Sequence, residues 1–218
     1  MNQKDTVNYI IFDIDGTLTK STAFDSKCYR KAILSHIDVC LKHDWGEYLH
    51  VTDSGILKEI LESHNLLKYE DELTKKIKAS FIENIHAHIK CESVEEISGA
   101  GEFIESLKSH ERVCLGIATG GWVETAKLKL ISAGFNISSI ELSSANDAMS
   151  RVDIMRLALL KAGSEPPSEI TYFGDAAWDK KACVELNWNF IQVAGHADYY
   201  QRIDDFKDQS KIMTYCGL

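Results

Sequence analysis

The sequence predicts an α/β protein: a Rossmann-like, three-layer parallel-sheet core carrying an inserted all-α cap domain. Three observations predict it. A short apolar strand at residues 7–12 stops abruptly at Asp13-Ile14-Asp15-Gly16-Thr17. From about residue 22 to residue 97 the apolar positions follow helical spacing, with no convincing strand. Beyond residue 98, apolar strands and helices alternate, the pattern of a parallel sheet covered on both faces.

In the first strand, Tyr9, Ile10 and Ile11 form a continuous apolar run, as in a strand buried on both sides. In the helical stretch, Ile56, Leu57, Ile60 and Leu61 share a face behind the cap candidates Thr52, Asp53 and Ser54. Leu73, Ile77, Phe81 and Ile85 repeat every four residues. Phe103, Ile104 and Leu107 mark the next helix. A strand at 113–118 runs into Thr119-Gly120-Gly121 and a helix ending near Gly134. A strand at 137–142, a helix at 151–162 and a strand at 170–173 closed by Gly174-Asp175 follow. A helix around 182–186 leads to a last strand at 189–193. Tyr199-Tyr200 and the polar tail to Leu218 carry no readable signal. The expected division is a core of residues 1–20 and 98–218 and a cap of residues 21–97. The cap would sit over the carboxyl ends of the strands, where open α/β sheets place their sites.

Composition narrows the function. The chain has 218 residues, 44% hydrophobic and 26% charged, enough for one substantial core with a small insertion. Its formal net charge of -9 repels nucleic acid and anionic membrane, so neither is expected as a partner. An anionic substrate then needs a local cation at its site. Six cysteines without a C-x-x-C pair read as reduced, buried thiols of a cytoplasmic protein. The polar start runs straight into a strand, so no signal peptide is expected, and no apolar stretch is long enough to span a bilayer. A monomer or homodimer is expected.

Asp13, Asp15, Thr119, Asp175 and Asp179 all fall at predicted strand ends. Asp13 and Asp15 leave an extended segment on one side, and two neighbouring carboxylates are costly unless a cation lies between them. Gly16 allows a sharp turn. Thr119, with Gly120 beside it at a helix start, suits a phosphoryl oxygen through its hydroxyl and free backbone N–H groups. Asp175 and Asp179 in Gly174-Asp175-Ala176-Ala177-Trp178-Asp179 suit a hard divalent cation. Among the basic residues of the later chain, Arg151 is best placed, opening a helix after a polar loop. Lys127 and Lys129 are expected to face solvent from within their helix. In the cap, His50, Thr52 or Asp53 is expected to reach the leaving group, although Thr52 and Asp53 also read as plain helix caps. His86, His88 and Cys91 do not read as a zinc site, because His86 and His88 point to nearly opposite faces of a helix.

D-x-D-G-T after strand one, a Thr after strand two, a basic residue and then G-D-x-x-x-D resemble, in order, the motifs of the haloacid dehalogenase-like hydrolases. The resemblance spans nearly the whole chain. The central insertion looks like the helical C1-type cap of phosphoglycolate phosphatase-like members. The resemblance implies a phosphatase of a small phosphorylated metabolite. Asp13 would be the nucleophile that forms an aspartyl phosphate, and Asp15 the general acid–base. Mg2+ would be held by the Asp13 carboxylate, the Asp15 backbone carbonyl and Asp175, with Asp179 supporting the metal site. Thr119 and Arg151 would bind the phosphoryl oxygens. Arg151 stands where the family usually has Lys, often followed by Pro. Lys20 stands where many relatives with this cap are acidic, which argues against simple phosphoglycolate hydrolysis. The alternatives are a phosphotransferase or sugar-phosphate mutase (β-phosphoglucomutase-like), and a catalytically silent binding module. Dehalogenation is disfavoured by Asp15. Phosphonate cleavage would need a cap lysine, for which Lys42 or Lys58 would have to serve.

Overall fold

The computed structural model describes residues 7–163, 168–194 and 199–218. The strands β1 (Val7–Phe12), β2 (Val113–Ala118), β3 (Glu141–Ser143), β4 (Ser168–Gly174), β5 (Asn189–Val193) and β6 (Arg202–Ile203) form one sheet. Their order is β3-β2-β1-β4-β5-β6, and every pairing is parallel. The chain builds outward from β1 in one direction, then restarts at β4 and builds in the other. The carboxyl ends of β1 and β4 therefore flank the crevice where a parallel sheet leaves room for a ligand.

Side-chain alternation along the strands supplies both faces of the core. Ile10 and Phe12 of β1, Ile117 of β2, Phe173 of β4 and Ile191 and Val193 of β5 enter one apolar cluster. There they meet α4 (Ala100–Lys108), α5 (Val123–Ser132) and α8 (Gln209–Tyr215). Ile11, Ala118, Tyr172 and Phe190 point the other way, against α6 (Arg151–Lys161) and α7 (Ala177–Leu186). Phe12 stacks on Phe173 with ring centroids 4.9 Å apart, and Phe103 and Phe206 complete the aromatic centre. Two elements differ from expectation. The strand expected at 137–142 is reduced to Glu141–Ser143, because residues 137–140 turn ahead of it. The polar tail is structural: Ile203, Phe206, Ile212 and Cys216 are buried, and β6 extends the sheet by a sixth strand. The apolar residues of this segment are spaced too irregularly among polar ones to show a period.

Between β1 and α4 the chain forms α1 (Thr22–Leu34), α2 (Asp53–Ser63) and α3 (Glu70–Cys91), with no strand among the described residues of this stretch. Their inward residues make a separate apolar cluster: Tyr29 and Ile33, then Ile56, Leu57, Ile60 and Leu61, then Ile77, Phe81 and Ile85. The cluster also takes in Trp122 at the start of α5, whose indole packs the helical block against the sheet core. The six cysteines are free thiols. Cys183 and Cys216 are buried, whereas Cys40 and Cys91 are exposed, so the expectation of buried thiols holds only in part. His88 stacks on Phe24, and no zinc-type cluster forms around His86, His88 and Cys91 among the described residues. No helix of the described residues is long and apolar enough to cross a membrane.

Phe103 is fully buried and touches three other rings, those of Phe12, Phe173 and Phe206. Phe103→Ala is expected to lower the unfolding free energy by about 3–5 kcal/mol. Urea denaturation followed by circular dichroism measures it; a loss below about 1 kcal/mol would show that the aromatic centre is not the packing core.

Candidate active site

Asp13 continues β1 by one residue, its N–H donating to the carbonyl of Phe173. The backbone then folds into a tight loop in which the N–H groups of Thr17, Leu18 and Thr19 all point at the carbonyl of Ile14. Gly16 makes the loop with φ of +83°, and a Cβ there would run into the carboxylate of Asp175. Glycine is required on both counts. The turn brings Asp13, Asp15 and Asp175 to one cavity.

Asp175 ends β4, and Asp179 lies in the first turn of α7, where its carboxylate accepts from the N–H of Ala176 at 3.2 Å. One oxygen each from Asp13, Asp175 and Asp179 lies within 4.8 Å of the others. Such a set of hard, anionic oxygens suits a divalent cation like Mg2+. The protonation energetics agree. Burial raises the Asp13 carboxyl well above its ordinary range; Arg151 offsets this only in part, and Asp179, Asp175 and Asp15 raise it further. Burial, then Asp179 and Asp15, push Asp175 from 3.8 to about 7. Burial raises Asp179 as well, and a cation among the three would favour their ionised forms.

Arg151, the first residue of α6, reaches into this group. Its Nη1 lies 3.1 Å from Asp13 Oδ1 and 3.4 Å from Asp179 Oδ1. Burial opposes the guanidinium charge, but Asp179 and Asp13 more than compensate and keep it protonated. Its Nε is buried without a hydrogen-bond partner, a donor that a phosphoryl oxygen would satisfy.

A second cation was missed. Lys129, expected to face solvent, is fully buried; Lys127 is the exposed one. Lys129 Nζ lies 2.6 Å from both oxygens of Asp15 and 2.6 Å from Asp25. Ser21 also donates to Asp15. Burial works against the Lys129 ammonium, yet Asp15 and Asp25 hold its pKa above the usual lysine range. Burial pushes Asp25 up to about 6 despite Lys129. The signal was present in the spacing: Thr125, Ala126, Lys129 and Leu130 occupy one buried face of α5, and Lys129 belongs to it by position.

The loop before α2 closes the cavity from above. Asp53 donates its N–H to the carbonyl of Gly120 at 2.8 Å, and its Oδ2 accepts from the N–H of Trp122 at 2.8 Å. Tyr29 donates to the Asp53 carbonyl at 2.5 Å. Thr52 Oγ1 accepts from the Gly55 N–H, capping α2, and donates to the carbonyl of Met149 at 2.7 Å. Thr52 and Asp53 thus line the cavity but are already committed as caps and braces. His50 does not join them: it lines a separate groove with Glu59, Lys58 and Met149. Thr52 donates its N–H to the carbonyl of His50, and of the two only Thr52 lines the cavity. Lys42 and Lys58 are also elsewhere, paired with Glu59 and Glu70. Thr119 is buried at the end of β2, and its Oγ1 accepts from the Gly121 N–H at 3.1 Å. The first turn of α5 was expected to offer free N–H groups. Those of Gly121, Trp122 and Val123 are instead taken by Thr119, Asp53 and Asn146, because a carboxylate already sits at the helix start.

The resulting cavity, about 140 Å³, joins Asp13, Asp15, Thr119, Gly120, Arg151 and Asp175 below to Asp25, Ser26, Tyr29, Trp45, Thr52 and Asp53 above. Against known proteins, the model of the haloacid dehalogenase-like hydrolase family matches residues 7–187. No curated protein matches the chain. Among solved structures, a β-phosphoglucomutase from Clostridium difficile is similar with a TM-score of 0.72 at 15% identity, covering 97% of this chain and 98% of that one. CbbY from Rhodobacter sphaeroides, in complex with phosphate, gives 0.68 at 14%, covering 93% and 96%. A hydrolase from Pseudomonas syringae gives 0.66 at 20%, covering 96% and 90%. At these identities the likeness is one of fold.

Two outcomes follow from the charge arrangement. Lys129→Met strands Asp15 and Asp25 against each other and is expected to lose about 3–5 kcal/mol of stability in chemical denaturation, with loss of turnover; an unaltered midpoint would refute the buried pairing. The second concerns pH. An acid whose pKa rises on folding binds extra protons in the folded state, so stability falls as pH climbs from its unfolded value to its folded one. For Asp175 that window runs from 3.8 to about 7. Without metal, Tm should therefore fall between these values. Saturating Mg2+ should raise it more at pH 8 than at pH 5, by an amount corresponding to about 2.7 kcal/mol at a hundredfold excess over Kd. A Mg2+ effect independent of pH would argue against carboxylate ligands.

Proposed function

The chain belongs to the haloacid dehalogenase-like hydrolases, and on that premise we propose that it is a Mg2+-dependent phosphatase of a small phosphorylated metabolite. The observation that carries the reading is the convergence in one crevice of a buried carboxylate ending β1, a buried guanidinium opening α6, and two further carboxylates following β4. Such a set can position a nucleophile against a phosphoryl group and balance the charge of both.

In this reading Asp13 attacks phosphorus, forming the aspartyl phosphate as the bond from phosphorus to the leaving oxygen breaks. Asp15 gives its proton to that oxygen. A water molecule then attacks phosphorus, losing a proton to Asp15 as the bond from phosphorus to the Asp13 oxygen breaks; inorganic phosphate leaves and the Asp13 carboxylate is restored. Arg151 turns its donors, including the unpartnered Nε, to the phosphoryl oxygens, and Thr119 offers its hydroxyl. Lys129 and Ser21 hold Asp15 in place between the two steps. Asp13, Asp175 and the Asp15 carbonyl would hold Mg2+, with Asp179 as support. When bound, the ion screens the repulsion between the carboxylate and the phosphate dianion. The α1–α3 block serves as the cap, braced on the phosphate-side loop by Asp53.

The test is phosphate release from acetyl phosphate and p-nitrophenyl phosphate, with Mg2+, with EDTA, and in Asp13→Asn. Release is expected to require Mg2+ and to drop at least about 10³-fold in the variant. Activity surviving in Asp13→Asn would end the proposal. Transfer of the phosphoryl group to a second sugar phosphate without release to water would point to the mutase alternative, which shares Asp13 and Asp15.

A further inference from the structure

The upper half of the cavity has its own electrostatic character. The residues it takes from the α1–α3 block and its loops include Asp25 and Asp53 but no Lys, Arg or His. The nearby cations are committed elsewhere. Lys129 lies behind the wall, bound to Asp15 and Asp25. Arg30 lies over the Trp45 ring and gives its Nη groups to the carbonyls of Lys42 and His43. Arg151, the only cation lining the cavity among the described residues, is held at its floor by Asp13 and Asp179. One anionic group on the substrate can be met at that floor. A second, carried on the alcohol side, would be buried against carboxylates with no partner, which is strongly unfavourable.

What the upper half does offer is oxygen acceptors and aromatic faces. Asp25 and Ser26 project from α1, with Ser26 Oγ accepting from Trp45 Nε1 at 2.8 Å. The rings of Tyr29, Trp45 and Trp178 supply apolar surface. Carboxylate and hydroxyl oxygens accept hydrogen bonds from alcohol hydroxyls, and the rings cover the carbon-bound hydrogens between them. With a cavity of about 140 Å³, only a short alcohol fits in this closed arrangement.

Building on the phosphatase reading, we propose that the substrate is the monophosphate of a small, uncharged polyhydroxy alcohol, and that the Asp25 wall excludes alcohols bearing a second phosphate or a carboxylate. The wall acts on the leaving group alone. Acyl and alkyl phosphates with no second anion therefore pass it equally.

Matched pairs that differ only in CH2OH against carboxylate test this: hydroxyethyl phosphate with phosphoglycolate, and glycerol phosphate with phosphoglycerate. Acetyl phosphate is the common reference, all with Mg2+. The hydroxyl member of each pair is expected to have the higher kcat/KM by at least about tenfold, the ratio produced by ~1.4 kcal/mol of like-charge repulsion. In Asp25→Asn the ratio within each pair should narrow several-fold, whatever the variant's overall rate, because each ratio is taken within one enzyme. Equal rates within the pairs, preference for the carboxylate members, turnover of acetyl phosphate alone, or a ratio unmoved by Asp25→Asn would each overturn the proposal while leaving the phosphatase reading intact. No phosphate release from any of the five compounds would overturn the phosphatase reading and this proposal with it.

Discussion

The structure depends on keeping six carboxylates at one end of a parallel sheet. Asp13, Asp15, Asp25, Asp53, Asp175 and Asp179 meet there with two cations, Arg151 and Lys129. Burial alone would neutralise or expel most of these acids. The fold manages them by division. Arg151 serves the pair Asp13 and Asp179, and Lys129 serves the pair Asp15 and Asp25. Asp53 is met by the backbone N–H of Trp122 at the start of a helix, where a negative charge is favoured. For Asp175, burial, then Asp179 and Asp15, outweigh Arg151 and drive the carboxyl up to about 7. The residual excess of negative charge is what a divalent cation would relieve.

The same division ties the chemistry to the helical block. Lys129 rises from α5 to grip one residue of the β1 loop and one of α1. Asp53 and Thr52 reach down from the loop before α2 to the carbonyls of Gly120 and Met149. Arg151 sits beneath that loop, its Nη2 3.4 Å from the carbonyl of Val51. The upper walls of the cavity are thus bonded to the strand-end loops that form its floor. A change at Asp25 or Asp53 should be felt at Asp15 or along the Thr119 loop, not only in substrate fit.

Where the candidate site was legible, the reason is local. A strand that ends in a carboxylate-rich turn advertises itself, since an apolar run followed at once by Asp13-Ile14-Asp15-Gly16-Thr17 has few structural explanations. Arg151 was found from its position at a helix start after a polar loop, and the structure puts it beside Asp13. Lys129 was lost because a lysine in a helix defaults to solvent, and its burial makes sense only once Asp15 and Asp25 are brought opposite it. His50 was misplaced because the direction in which a loop side chain leaves depends on the turn, not on the residue type. β6 and α8 were missed because their few apolar residues are packed by partners distant in sequence.

The sequence by itself determined the layered α/β architecture, the interruption by helices after the first strand, and the strand-end residues Asp13, Thr119 and Asp175. These rest on periodicity and on abrupt changes of chemistry along the chain, which are local. The tertiary structure alone decided which charges pair, which N–H groups remain for a ligand, and which side of the cavity is bare of cations. Those outcomes arise from groups far apart in sequence, such as Lys129 and Asp15, competing for the same buried space. There the cost of an unpaired charge, set by all neighbours together, selects the arrangement.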